Sequence, residues 1–351
     1  MLETLIKQLA AAQSLDEAQI HAAVELLADE KISAASKAEF LIALAQKGET
    51  PGEIAAFARA LCEKSVPLPI ENDWRHSREI LDIVGTGGDR LGTFNISTTS
   101  AIVCAAAGVA VAKHGNRAVT SQAGSADVLE ALGIRIDLTP EAAARSLREK
   151  NFAFFFAPNF HPAFKHIAPA RKLCAERGQR TIFNFLGPLL NPARPSAMLV
   201  GVPRAELCEP LARVLQSLGV RRGMVVTGKI GNRKSEIGNS LDELSTLGEN
   251  TIAEFYHERG FTTSVLSPEE FPLQPATLDD LLGGDKFQNA EITRRILRGD
   301  ERGPKRDAVL LNAGAALFVA GKTKSLAEGW DLAGETIDSG QADGKLAELA
   351  S

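Results

Sequence analysis

Two rhythms of apolar positions divide the chain. Through the first 65 residues the rhythm is helical: Leu2, Leu5, Ile6 and Leu9 recur at the spacing that puts them on one helix face, and Ile20, Val24 and Leu27 repeat it. Ser14 with Glu17, and Thr50 with Glu53 behind Pro51, have the spacing of capping boxes, and Gly48 stands where a helix would end. Two prolines in Ser65-Val66-Pro67-Leu68-Pro69 discourage helix and mark a linker. From Ile80 the rhythm changes. Short β-rich runs (Ile80 to Val84, Val109 to Ala112, Phe152 to Ala157, Met198 to Val202, Gly223 to Thr227) alternate with helical stretches such as Ala142 to Lys150 and Ala205 to Leu218. That order predicts an α/β protein: a small N-terminal helical domain over 1–70, then, over 71–351, a larger domain with a mostly parallel β-sheet flanked by helices and with ligands at the carboxyl ends of its strands. His161 to Gln179 reads as a long helical segment interrupting the strand order, and Lys229 to Ser240 as a polar loop.

Composition narrows the class of protein without naming a chemistry. Of 351 residues 44% are hydrophobic and 24% charged, which is ordinary for a soluble globular chain, and a net charge of −5 offers nucleic acid no general attraction. No apolar run reaches the roughly 18 residues of a membrane span, and Met1-Leu2-Glu3 opens an amphipathic segment, so a cytoplasmic protein with no membrane partner is expected. Cys62, Cys104, Cys174 and Cys208 are scattered among apolar helical positions and read as reduced core residues. His161 and His166, five apart, do not share a helix face, so zinc is not indicated.

Chemistry concentrates between residues 80 and 125. The apolar run Ile80-Leu81-Asp82-Ile83-Val84 leads directly into Gly85-Thr86-Gly87-Gly88-Asp89. Glycines there let the backbone take positive φ and bring its N–H groups up to an anion that a Cβ would obstruct. Asn95, Ser97 and Thr98 are helix-opening residues ahead of the apolar run Ala101 to Ala107, so a positive helix end would point at the same anion. Asp89 sets a carboxylate beside it, which implies a divalent metal. The dinucleotide pattern G-x-G-x-x-G fails at Arg90, and the nucleotide pattern G-x-x-x-x-G-K-[ST] fails because Thr93 and Phe94 follow Gly92. With Lys113-His114-Gly115-Asn116-Arg117 close behind, the segment reads as a phosphate-handling site.

These residues resemble the anthranilate phosphoribosyltransferase family, and the match runs nearly end to end. It includes Gly-Thr-Gly-Gly-Asp at 85–89, Gly-Thr-Phe-Asn-Ile-Ser-Thr at 92–98, Lys-His-Gly-Asn-Arg-Ala-Val at 113–119 and Gly-Ser-Ala-Asp-Val-Leu-Glu-Ala-Leu-Gly at 124–133. Arg-Thr-Ile-Phe-Asn-Phe-Leu-Gly-Pro-Leu-Leu-Asn-Pro at 180–192, Leu-Asp-Glu-Leu-Ser at 241–245 and Asn-Ala-Gly-Ala-Ala-Leu at 312–317 complete it. The chain departs from the family pattern at Arg90-Leu91, at Thr227, in a longer loop before Leu241, and in extra length between Arg171 and Arg180.

The resemblance implies transfer of a phosphoribosyl group from 5-phosphoribosyl 1-diphosphate to the amino group of anthranilate, with release of pyrophosphate. It places the donor on Gly85, Gly88, Asp89, Thr93, Asn95, Ile96, Ser97, Thr98, Lys113, Asn116, Arg117, Ser121 and Ser125. It places anthranilate on Gly85, His114, Asn116, Phe164 and Arg171, with Arg177 as the alternative to Arg171. Ser97, Asp242 and Glu243 would hold Mg2+, as two ions, and hard oxygen ligands suit that metal. The helical segment about 161–180 would join the N-terminal helices, the site would lie between the two domains, and a homodimer would form through the helical one, as apolar stripes in excess of what a small domain buries also suggest. A pyrimidine nucleoside phosphorylase, or a nucleic-acid-binding relative of the same fold, is the alternative reading.

Overall fold

The structure is a computed structural model that describes the chain except residues 119–121, 232–239 and 258 and the side chain at 259. Most of the loop predicted at 229–240, and Ser121, therefore lie outside the described residues. The strands are β1 (Ile80–Gly85), β2 (Ala110–Gly115), β3 (Phe152–Phe156), β4 (Ala197–Gly201), β5 (Arg222–Lys229), β6 (Ser240–Leu241), β7 (Asn250–Tyr256) and β8 (Arg259–Leu266). They join in one sheet, ordered β3-β2-β1-β4-β5-β7-β8, with β6 on the end of β5. Strands β1 to β5 pair in parallel, whereas β6, β7 and β8 add antiparallel. The five predicted runs all became strands, and the three antiparallel ones had no counterpart in the sequence reading.

Alternation sorts the side chains of the parallel strands onto two faces. Leu81, Ile83, Val111, Phe152, Phe154, Leu199 and Met224 point into one core, shared with the buried helices Ile96–Ala106 and Pro304–Val319. Met198, Val200 and Val225 point into the other, which runs without a break into the N-terminal helices. Those helices are Leu2–Ala10, Glu17–Ala28, Ala34–Lys47 and Pro51–Glu63. Their apolar stripes are mostly consumed inside the chain: Leu2, Leu5, Leu9, Ile20, Val24 and Leu27 are all buried. Ile6, of the same stripe, with Leu26, Ile42 and Ala43, stays half-buried, so part of the apolar surface expected in excess remains accessible on these helices.

Capping follows local chemistry with one correction. Thr50 and Glu53 form their reciprocal box around Pro51, and Gly48 ends the preceding helix at φ 86. The second helix is capped by Asp16 with Gln19 instead of Ser14 with Glu17, because the side chain at 16, one position ahead of the helix, accepts the Gln19 N–H at 2.8 Å. The interrupting segment folds as Phe164–Glu176 behind a short turn, Ala157–Phe160, and packs against Ala34–Lys47. Lys37 fastens it: the buried ammonium donates to the carbonyls of Asp29 (2.7 Å) and His166 (2.9 Å).

Candidate active site

Because β1 to β5 are parallel, Gly85, Gly115 and Gly201 end their strands on the same side of the sheet. The turn after β1 takes the conformation its glycines permit, with φ 75 at Gly87 and 97 at Gly88, and Arg90 follows in the left-handed region at φ 60. Gly85 has ordinary φ and serves another purpose. It is the register partner of Gly201, and the segment containing Asp242 lies directly on the pair. A Cβ on Gly85 would stand 2.4 Å from Asp242 Oδ2, and one on Gly201 1.6 Å from the Asp242 carbonyl oxygen. Asn312 holds the segment from behind, accepting from Leu244 N at 3.0 Å and donating to Leu244 O at 2.9 Å.

The acid pair reaches both phosphate-type elements. Asp242 Oδ2 accepts from Gly87 N at 2.6 Å, and Glu243 Oε1 accepts from the N–H of Ser97, at the start of helix Ile96–Ala106, at 3.2 Å. Burial pushes the Asp242 carboxyl well above the usual carboxylate range, and the charges of Asp89 and Glu243 push it further. Burial likewise raises Glu243 to about 7, against the pull of Lys113 and the Ser97 contact. Lys113 lies beneath, 2% exposed, donating to Ile83 O at 2.7 Å and to Ser97 Oγ at 3.4 Å. Its pKa is lowered by burial, although Asp82 and Glu243 oppose that shift. Asp82 is buried too, raised to about 6 by desolvation, and accepts from Asn191 Nδ2 at 2.8 Å and His114 N at 3.4 Å.

A row of rings runs away from this charged floor. His114 meets His161 edge-on at 5.3 Å, His161 stacks on Phe164 at 5.1 Å, Phe164 meets Phe183 at 5.8 Å, and the Arg171 guanidinium lies 5.1 Å over Phe183. Arg171 stays solvent-accessible while the surrounding protein desolvates it enough to lower its pKa, as in a cleft. The carbonyl of Gly187 accepts from His114 Nδ1 at 3.1 Å, which leaves a lone pair on Nε2. That Nε2, the Nε2 of His161 and the hydroxyl of Thr98 are buried without a partner in the protein. Desolvation holds both imidazoles neutral, His114 down to about 3 and His161 to about 4.

The structure thus gathers Gly85, Gly88, Asp89, Ile96, Ser97, Thr98, Lys113, Asp242 and Glu243 at one end of the sheet, and His114, Phe164 and Arg171 along the ring row. Thr93 bridges to Leu282, and Asn95 is held by Asn289, whose amide donates to its Oδ1 at 2.9 Å. Asn116 is exposed after β2, and its carbonyl accepts from Ser125 Oγ at 3.4 Å. Arg117 is engaged elsewhere, paired with Asp127 at 2.9 Å and Glu130 at 3.0 Å. Arg177 sits at the C-cap of its helix.

Comparison with known proteins matches the chain to a family. Residues 3–65 fit the helical bundle domain, and residues 77–343 the a/b domain, of a glycosyl transferase family. The anthranilate phosphoribosyltransferase of Petrotoga mobilis is 47% identical over 336 residues, covering 96% of this chain and 92% of the relative. The chain belongs to the anthranilate phosphoribosyltransferase family. It is an enzyme of the glycosyltransferase class. The crystal structure of anthranilate phosphoribosyltransferase from Thermus thermophilus superposes with a TM-score of 0.86 at 45% identity, over 99% of this chain and 98% of that one. The Saccharomyces cerevisiae enzyme in complex with PRPP and Mg gives 0.85 at 27% identity, over 99% and 96%.

Four residues of this family member's site escaped the sequence reading. Gly201 ends an unremarkable apolar run, and only the register with Gly85 gives it a purpose. Asn312 stands in one of the quoted motifs but had no assigned part. Sequence proximity sets His161 beside His166, while its partner in space is His114. Asn289 carries no local signal at all, because its contact with Asn95 spans 194 positions.

Proposed function

We propose that the chain transfers the phosphoribosyl group of 5-phosphoribosyl 1-diphosphate to the amino group of anthranilate, releasing pyrophosphate. One observation carries the reading: a floor of backbone N–H groups and crowded carboxylates, suited to a metal diphosphate, stands at the head of a ring row that ends in an accessible guanidinium. Gly85, Gly88, Asp89, Thr93, Asn95, Ile96, Ser97, Thr98, Asn116, Arg117 and Ser125 would bind the donor, as would Ser121, which lies outside the described residues. Lys113 would act from below, holding Ser97 and balancing Asp82 and Glu243. Anthranilate would lie along His114 and Phe164 beside Gly85 and Asn116, its carboxylate on Arg171, whose planar fork suits a bidentate carboxylate.

The donor set fits magnesium. Asp242 sits among Asp89 and Glu243 with the Gly87 N–H to offset their repulsion, and a divalent cation would relieve it. Among the described residues no three His, Cys, Asp or Glu side chains converge into a closed metal cage. Magnesium suits such an open arrangement because it keeps several waters and takes substrate phosphate oxygens. Ser97, Asp242 and Glu243 would hold the ions, two in number, and bound magnesium would neutralise charge building on the departing diphosphate.

The aromatic amine is uncharged and attacks C1 of the ribose with its lone pair. The C1–O bond to diphosphate breaks, and the nitrogen loses its extra proton to water once the N–C1 bond has formed. A dissociative displacement with inversion at C1 follows from attack opposite the leaving group, and catalysis is by orientation and electrostatics. The cleft would separate a helical unit (1–70 with about 161–180) from the sheet unit (71–351), and the protein would form a homodimer through the helical unit. Measuring pyrophosphate released with anthranilate as acceptor, against inorganic phosphate acting on a pyrimidine nucleoside, tests the reading. Release that depends on anthranilate supports it, and phosphorolysis without that release overturns it.

A further inference from the structure

A cavity lies at the end of the sheet opposite the charged floor. It measures about 730 Å³ and opens between the linker after Pro51–Glu63, the segment 188–198, and the turn that leads into β5. Ser196 and Arg221, on its wall, immediately precede β4 and β5, so the cavity faces the amino ends of the strands, whereas the glycine turn follows the carboxyl end of β1. Of the residues described at the charged floor and the ring row, Asn191, which donates to Asp82, is the one that also lines it.

Its lining pairs a greasy wall with a surplus of positive charge, four arginines against one carboxylate, Glu63, which lies 3.5 Å from His21. Leu68, Ile70, Leu189 and Met198 give the apolar surface. Of the cations, Arg59 and Arg221 are neutralised by Glu17 and Glu79. Arg75 and Arg194 are not paired with any carboxylate among the described residues. Arg75 spends one terminal nitrogen on the carbonyls of Ala193 (2.6 Å) and Arg194 (3.1 Å), which fixes its fork against the segment that carries Arg194. Arg194 itself stands at φ 48, a left-handed conformation that a long side chain seldom adopts. The two guanidiniums are close enough to repel: the charge of Arg194, after burial, depresses the pKa of Arg75. Two like charges converging on an apolar cavity of drug-sized volume are stabilised by an anion that bridges them.

We propose that this cavity is a binding site, separate from the catalytic cleft, for a small organic anion: an apolar body of about the size of a fused bicyclic ring, carrying one carboxylate or phosphate head that takes the forks of Arg75 and Arg194. The cation pair selects the head and the hydrocarbon wall selects the body. Inorganic phosphate, which offers only the head, binds more weakly than either amphiphile.

Titration calorimetry on the full chain tests this with 1-naphthoate, 1-naphthyl phosphate and inorganic phosphate as probes. Each titration is run alone and with saturating anthranilate to block the acceptor end of the cleft. At least one naphthyl probe is expected to bind in the presence of anthranilate, and the tighter of the two identifies the head. Arg194→Asn keeps a residue tolerant of positive φ, is exposed, and should weaken that probe roughly tenfold or more, the loss expected for a charge-assisted contact. Arg75→Met should do the same, and thermal melting reports whether it remains folded. Affinities unchanged in Arg194→Asn, or naphthyl binding abolished by anthranilate, would overturn the proposal.

Discussion

Arg171 and His161 belong to the same ring row, separated by Phe164 and Phe183, and carry different burdens. Arg171 keeps access to solvent over Phe183, as a group waiting for a carboxylate would, while Arg177 stands at the C-cap of its helix. Replacing Arg171 with Ala should therefore raise the KM for anthranilate by roughly ten- to a hundredfold, the range of a charge-assisted bidentate contact, and leave that for the phosphoribosyl donor nearly unchanged. Steady-state kinetics on Arg171→Ala and Arg177→Ala decide the register: a selective anthranilate defect in the second and none in the first would move the role to Arg177. His161 is a liability in acid. Burial holds its folded pKa near 4, below the 6.5 of an exposed imidazole, so its contribution to stability is complete above 6.5 and is lost as pH falls towards 4. By pH 5 that loss is on the order of 2 kcal/mol. Thermal melting of His161→Phe should show a flatter decline between pH 7 and 5 than the parent chain, and parallel curves would assign the acid sensitivity elsewhere.

The floor of the site is made by elements, and its parts differ in how readily the sequence discloses them. Strand β1 was legible because an apolar run ending in glycines admits few other structures, and the helix Ile96–Ala106 because polar openers precede a small apolar body. The late strands were not. In β8, Thr262, Thr263, Ser264 and Val265 are exposed on the open edge, so its polar residues mimic a loop. The motifs disclosed which residues matter but not how they meet, since Gly85, Gly201 and Asp242 come together only through register and crossover. Nor does any local pattern reveal that the ammonium of Lys113 is turned inward to Ile83 and Ser97. Gly201→Ala probes that meeting. Its methyl cannot coexist with a backbone oxygen 1.6 Å away, so the Asp242 segment must shift. Overpacking of this kind costs about 1–3 kcal/mol, and turnover should fall more than melting temperature suggests. A variant with near-parental kcat would separate the glycine pair from the chemistry.

At the scale of the whole molecule, the helices that were expected to offer apolar surface to a second copy bury most of it in their own chain and leave Ile6, Leu26 and Ile42 half-buried. The large apolar side chains exposed among the described residues are Met1, Val265, Leu282 and Phe287, and Met1 alone belongs to the N-terminal segment. A dimer contact through these helices would rest on half-buried and polar side chains, which resembles a dissociable interface more than an obligate one. Sedimentation velocity over a dilution series should show monomer and dimer exchanging, and a dimer that survives nanomolar dilution would contradict this.

The central claim, that the charged floor and the ring row together transfer a phosphoribosyl group to anthranilate, is tested most directly by following anthranilate fluorescence with magnesium and 5-phosphoribosyl 1-diphosphate present. The account predicts a progressive loss of fluorescence that requires all three additions. It also predicts that Asp242→Asn with Glu243→Gln abolishes most of that loss across a magnesium titration while the protein remains folded, because charge is removed with little change in volume. Undiminished fluorescence with the parent chain, or a double variant that turns over at the parental rate, would contradict it.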